Sequence, residues 1–200
     1  MQNKRADFAV QIAENKPMKF ISERIGYEAT DEGLTVRIKA SKAGDLKKIQ
    51  AMKAWVIAWA VSGGLIGSAL FMNYPTDLKL YLFVFLAFWA YFLYKISRAY
   101  YFRKYGIETL FLNGDQLMLR KDMHGKPGKS LFFRLQEKNC FRHLDKNQKG
   151  SWFYDSFWMD SGGNCGFGKP GAEYRFGIQL EQKEAEQLVK ILNKEIKINP

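Results

Sequence analysis

Two uncharged apolar runs, parted by seven residues, constrain this chain more than any other feature in it. From Ala54 to Met72 the sequence reads AWVIAWAVSGGLIGSALFM, nineteen residues without a charge. At about 1.5 Å of rise per residue, a helix of that length covers roughly 28 Å, close to the hydrocarbon thickness of a bilayer. The second run, Leu80 to Tyr94, reads LYLFVFLAFWAYFLY and is bracketed by Lys79 and Lys95. Their ammonium groups can snorkel to the two interfaces, and extension through Ile96 and Ala99 completes a span. The intervening NYPTDLK carries turn residues, with Pro75 unable to continue a helix easily. A soluble domain seldom needs two helices apolar on every face. Transmembrane helices are therefore expected over residues 54–73 and 78–99, forming a hairpin.

Charge sets the expected orientation. Lys42, Lys47, Lys48 and Lys53 precede the first run, Lys95, Arg98, Arg103 and Lys104 follow the second, and the loop holds one Lys and one Asp. Cytoplasmic flanks carry the basic excess, so both termini are expected in the cytoplasm. The first twenty residues lack the apolar stretch of a secretory signal peptide. A net charge of +11 is spread along the chain and fits nucleic acid, anionic lipid or an acidic protein partner, with the membrane segments favouring lipid. Cys140 and Cys165, the two cysteines, are expected to stay reduced in that compartment. Neither span holds Asp, Glu, Lys, Arg or His in its apolar core, which argues against a transporter or proton relay. Gly63 and Gly67 stand four apart in the first span, a spacing that lets helices approach closely. The second helix, or another protein's helix, can fill that face.

Beyond Arg103 the apolar period changes to two. Ile107–Leu112 and Gln116–Arg120 flank Asn113-Gly114-Asp115, a strong hairpin signal. Lys129–Leu135, Asn139–Leu144, Ser151–Met159 and Glu173–Ile178 read as further short strands parted by turn residues. Upstream, Gly33–Lys39 alternates as a strand with Leu34, Val36 and Ile38 on one side. It is too short to stand alone and is expected to join the same sheet. Residues 1–32 read as a polar segment, 33–40 as that strand, and 105–198 as a cytoplasmic domain. Ala185, Leu188, Val189, Leu192 and Ile196 recur at helical spacing near the C-terminus. The fold class expected is thus membrane α+β: a transmembrane hairpin and a small antiparallel β-barrel closed by a C-terminal amphipathic helix.

The ending Tyr174-Arg-Phe-Gly177-Ile-Gln-Leu180, followed by Glu-Gln-Lys-Glu184-Ala185-Glu186, resembles a pattern in bacterial membrane proteins with a pleckstrin-homology-like domain. In that uncharacterised family two transmembrane helices sit after the first strand, and an RFG-x-x-L strand end runs into an acidic helix start. The resemblance covers roughly residues 33–197 and implies a PH-like barrel in the bacterial inner membrane. The Gly-rich stretch 161–171 departs from the pattern.

Several local motifs tempt a chemical reading. Gly163–Lys169 matches G-x-x-x-x-G-K, but Pro170 stands where a P-loop needs Ser or Thr, and a strand-like run follows where a helix should. Cys140-Phe-Arg-His143, with His124 and Cys165, lacks the paired knuckles of a zinc site, and no third group orients a Cys/His nucleophile. Asp155 and Asp160 have no partner that would raise a carboxyl pKa. No catalytic residue, cofactor or metal is expected, and no nucleic acid or small-molecule substrate. Trp152, Tyr154 and Trp158 fall in SWFYDSFWM, where strand alternation must push some aromatics outward. They are candidate protein anchors, alongside Gly63 and Gly67. Lys47, Lys48, Lys53, Arg98, Arg103 and Lys104 are candidates for lipid-headgroup contact. The expected function is a membrane-anchored interaction module, an accessory or assembly subunit of a larger inner-membrane complex. The alternative is recognition of anionic headgroups.

Overall fold

Both apolar runs are helices, and each continues past its apolar stretch to reach a β domain. The computed structural model describes residues 18–135, 140–144, 163–168 and 173–196. Helix α1 spans Leu46–Ser68, with single 3₁₀ turns at Ala43–Asp45 and Ala69–Phe71. Helix α2 spans Thr76–Tyr105, starting directly after Pro75. At about 45 Å, α2 exceeds a hydrocarbon core by roughly 15 Å. The surplus is spent at its C-terminal end, where Ile96, Ala99, Tyr100 and Phe102 are buried.

The hairpin interrupts a sheet. Strands β1 (Lys19–Phe20), β2 (Ile25–Thr30) and β3 (Gly33–Lys39) precede it. Strands β4 (Gly106–Asn113), β5 (Gln116–Met123) and β6 (Ser130–Arg134) follow it. The six form one antiparallel sheet in chain order. β3 pairs with β4 from Leu34↔Leu112 to Lys39↔Ile107, and Ala40 N–H donates to Gly106 O at 3.0 Å. The helices thus occupy the place of a hairpin loop between adjacent strands. The Asn113-Gly114 turn is as expected, with Gly114 at φ +60°, the left-handed region such a turn requires.

A second sheet holds three short strands, β7 (Arg142–His143), β8 (Cys165–Phe167) and β9 (Tyr174–Phe176). Helix α3 (Gln182–Glu195) follows. One core joins these parts: Leu34, Val36 and Ile38 with Leu110 and Leu112 from the large sheet, Phe141 beside β7, Phe167 and Phe176 from the small one, and Ala185, Leu188 and Leu192 from α3. The inward alternation expected for β3 and the apolar stripe expected for α3 are both present.

Two expectations need correction. The described residues form two sheets and no closed barrel: β1 and β6 are the opposite edges of the six-stranded sheet. β1 contributes two residues, too few for a ladder that would close the sheet on β6, and α3 with the small sheet packs into the core instead of plugging a barrel end. The N-terminal portion also holds more than a polar segment. β2 lies within it and pairs with β3 from Ile25↔Ile38 to Thr30↔Gly33. Its apolar alternation is too sparse to announce a strand, and pairing with β3 supplies what propensity lacks.

Candidate functional site: the base of the helical hairpin

Where the hairpin meets the sheet, four chain segments converge. A small apolar cluster unites Ala40 before α1, Phe102 of α2 and Ile178 after β9, with Met123 of β5 packed on it. Beside it lies a set of buried charges. Arg24, in the β1–β2 turn, is only 2% exposed. Its guanidinium donates through Nε to Lys39 O at 3.0 Å and through Nη1 to Gln179 O at 2.8 Å. Nη2 donates to Ala40 O at 2.9 Å and Ile178 O at 2.7 Å. The planar fork of an arginine suits this task, because its donors diverge in fixed directions. One side chain thereby ties the strand entering the hairpin to the turn leaving β9.

Glu108 completes the arrangement from β4. It is fully buried and accepts the backbone N–H of Gly177. Lys121 Nζ stands 3.2 Å from its Oε1, an ion pair whose alignment falls short of a hydrogen bond. Burial pulls Arg24 below the usual arginine pKa, opposed by the charges of Glu184, Asp45, Glu108 and Glu181. Nearer solvent, Lys42 pairs with Glu181 and approaches Glu184 at 4.0 Å. Glu184 in turn accepts Glu181 N–H at 3.0 Å, capping α3. The hydrogen bond to Glu181 raises Lys42 and lowers Glu181.

These contacts explain the Arg175-Phe-Gly177-x-x-Leu180 ending. Gly177 sits at φ +73° and Gln179 at +55°, so the chain turns sharply and presents two carbonyls to Arg24. A Cβ on Gly177 would stand 2.7 Å from Leu180 Cδ1. Asn164 holds the turn from the other side, its N–H donating to Gly177 O at 3.3 Å and its side-chain amide to Leu180 O. The motif works as a latch that closes the turn onto Arg24.

The candidate residues fall into three groups. Gly63 packs inside the hairpin: a Cβ there would stand 2.3 Å from the Trp89 ring, which stacks on Trp59 at 5.8 Å. Gly67 has nothing within 4 Å of its Cβ position, and neither has Gly64. The structure therefore separates two glycines that the spacing grouped. Lys47, Lys48, Lys53, Arg98 and Lys104 are exposed around the hairpin base and Arg103 is half-buried. Lys48 lies 3.5 Å from Asp45, and Lys104 Nζ is 4.6 Å from the centre of the Tyr105 ring. Trp152, Tyr154 and Trp158 lie outside the described residues, as do Asp155 and Asp160.

The P-loop resemblance ends in a strand, since Cys165–Phe167 is β8 and buried. Pairing of β7 with β8 sets His143 opposite Cys165. Burial, with the charge of Glu108, pushes the Cys165 thiol up to about 12. A thiol with that pKa is no nucleophile at neutral pH. Among the described residues no group of three His, Cys, Asp or Glu side chains could hold a metal.

Arg24 and Glu108 escape a reading of the sequence. Arg24 lies in a polar stretch with nothing to single it out. Glu108 carries a usable signal: it shares the inward phase of Leu110 and Leu112 in an apolar strand, so an ionised group there needs buried partners. Compared with known proteins, the chain matches no family model, no curated protein and no solved structure.

Proposed function

We propose that this chain is an integral membrane protein whose hairpin holds the β domain at the cytoplasmic face of a bacterial inner membrane, where it serves as an interaction module and accessory or assembly subunit of a larger complex. One observation carries the membrane reading. Each helix is long and apolar enough to cross a bilayer, yet only 6% of its most apolar stretch is buried in the protein. A core helix of a soluble protein would be mostly buried, and an exposed apolar surface of this extent needs lipid or protein around it. The interaction role is supported by the hydrogen-bonded connection of hairpin to sheet at Ala40 and Gly106. It is supported further by the open face at Gly64 and Gly67, which a second helix could approach closely.

Mild-detergent purification of the full chain from its native membrane, with native sizing, tests the reading. A stoichiometric companion is expected, and its retention should fall when Trp152, Tyr154 and Trp158 are changed to Ala. A lone particle would remove the subunit role. Release of the chain from membranes by alkaline carbonate would remove the membrane reading itself.

A further inference from the structure

We infer that the β5–β6 loop, residues 124–129, forms with the end of α2 a basic surface attracted to the anionic phospholipid headgroups of the leaflet below it. This rests on the membrane reading above and adds a site to it. The loop His124-Gly-Lys-Pro-Gly-Lys129 holds two lysines and no acid. Lys126 and Lys129 are exposed, and among the described residues neither side chain has an acidic partner. The nearest carboxylate in sequence, Asp122, is already engaged by Arg120, Thr109 and the Gly128 N–H.

The fold brings this loop to the hairpin base. β5 ends at Met123 opposite Gly106, and the His124 ring stacks on Tyr105 with centroids 4.1 Å apart. Tyr101 lies 6.4 Å from the same ring, and Lys104 sits over Tyr105. Tyrosines and lysines together are the usual furniture of a membrane interface. Orientation rules do not account for the loop lysines. Basic residues that set topology lie within about 15–20 residues of a span end, whereas Lys126 stands well beyond that from Lys95. Their return to the helix base is a product of the sheet.

Depth decides what kind of contact this is. Lys95 marks the end of the apolar run, and Tyr105 lies about 15 Å further along α2. The headgroup layer takes up the first 5–7 Å or so. The remainder is about one Debye length at physiological salt, so the attraction is electrostatic, and salt will screen it.

Hydrogen–deuterium exchange of the full chain in nanodiscs tests this. Discs of phosphatidylcholine are compared with discs of phosphatidylcholine and phosphatidylglycerol at about three to one. Anionic lipid is expected to slow exchange in residues 123–130 by about two- to fivefold, fivefold being roughly the effect of one lysine at an anionic surface. The effect should vanish in 1 M salt and in the Lys126→Gln/Lys129→Gln variant, while Lys126→Arg/Lys129→Arg keeps it. Equal exchange in both discs, or a Gln variant that behaves as wild type, overturns the site and leaves the membrane reading intact. A chain that fails to enter discs overturns both.

Discussion

Replacing Arg24 by Met keeps much of its volume and removes all four hydrogen bonds. Each bond from a charged donor is worth roughly 1.5–3 kcal/mol, and a simple product would exceed 6 kcal/mol. That overstates the loss, since burying the guanidinium itself carries a large desolvation cost. Breaking a buried charged network at one partner typically costs 3–5 kcal/mol. The carbonyls of Ala40 and Ile178 would lose this donor in a buried setting and those of Lys39 and Gln179 in a half-buried one, and Glu108 and Glu184 would lose a nearby cation. A loss of about 4 kcal/mol is expected. The readout is native-state exchange of the β3 and β4 amides, whose ladder spans the hairpin. Those that exchange only on global opening should do so about a thousandfold faster. Arg24→Lys keeps the charge but cannot reach four carbonyls at once, and should lose about half as much. An Arg24→Met change below about fivefold would refute the latch. Full rescue by Lys would assign the stability to charge balance with the surrounding carboxylates and not to the fork.

Gly63→Ala should destabilise the helix pair by about 1–3 kcal/mol through overpacking on Trp89, while Gly64→Ala stays within about 0.5 kcal/mol. Reversible unfolding in detergent, followed by tryptophan fluorescence, separates the two, and equal effects would misplace the packing face. The Lys42–Glu181 pair makes stability depend on pH at both extremes. Glu181 is depressed below 4.5, so its contribution is present above that value and lost as pH falls through the lower folded pKa. Lys42 is raised above 10.5, so its contribution is present below that value and lost as pH rises through the higher folded pKa. The stability difference between wild type and Lys42→Met should therefore be flat between these limits and shrink beyond either; a difference that varies near neutral pH would implicate another group.

Much of the architecture was legible because period and charge are local properties. The apolar runs at 54–72 and 80–94, the Asn113-Gly114 turn and the alternation of Leu34, Val36 and Ile38 each announce themselves within a dozen residues. β2 did not, since its strand character comes from its neighbour. Barrel closure could not be read either, because it depends on where two edges end in space. The glycine pair shows the same limit. Spacing placed Gly63 and Gly67 together, but only the position of Trp89 decides that one is filled within the hairpin and the other open. At the hairpin base the charged cluster and its turn are assembled from residues 24, 42, 108, 121 and 177–184. No window of sequence contains it.

The placement of the hairpin between paired strands has a consequence for order of assembly. Leu34 meets Leu112 only when everything between them has been routed into the helices. The pairing is non-local, and closing so large a loop is slow and entropically costly. Pairing of the helices shortens the problem. Once α1 and α2 stand side by side, with Trp59 on Trp89, Ala40 and Gly106 lie within hydrogen-bonding distance, and β3 and β4 can zip outward from the hairpin base. The C-terminal segment then locks the product, since Arg24 can bond Ile178 and Gln179 only after β2, β3 and β9 are in place. A chain wired this way completes the β3–β4 ladder only with the helical hairpin formed, so under the membrane reading proposed above a folded β domain would report a correctly seated hairpin.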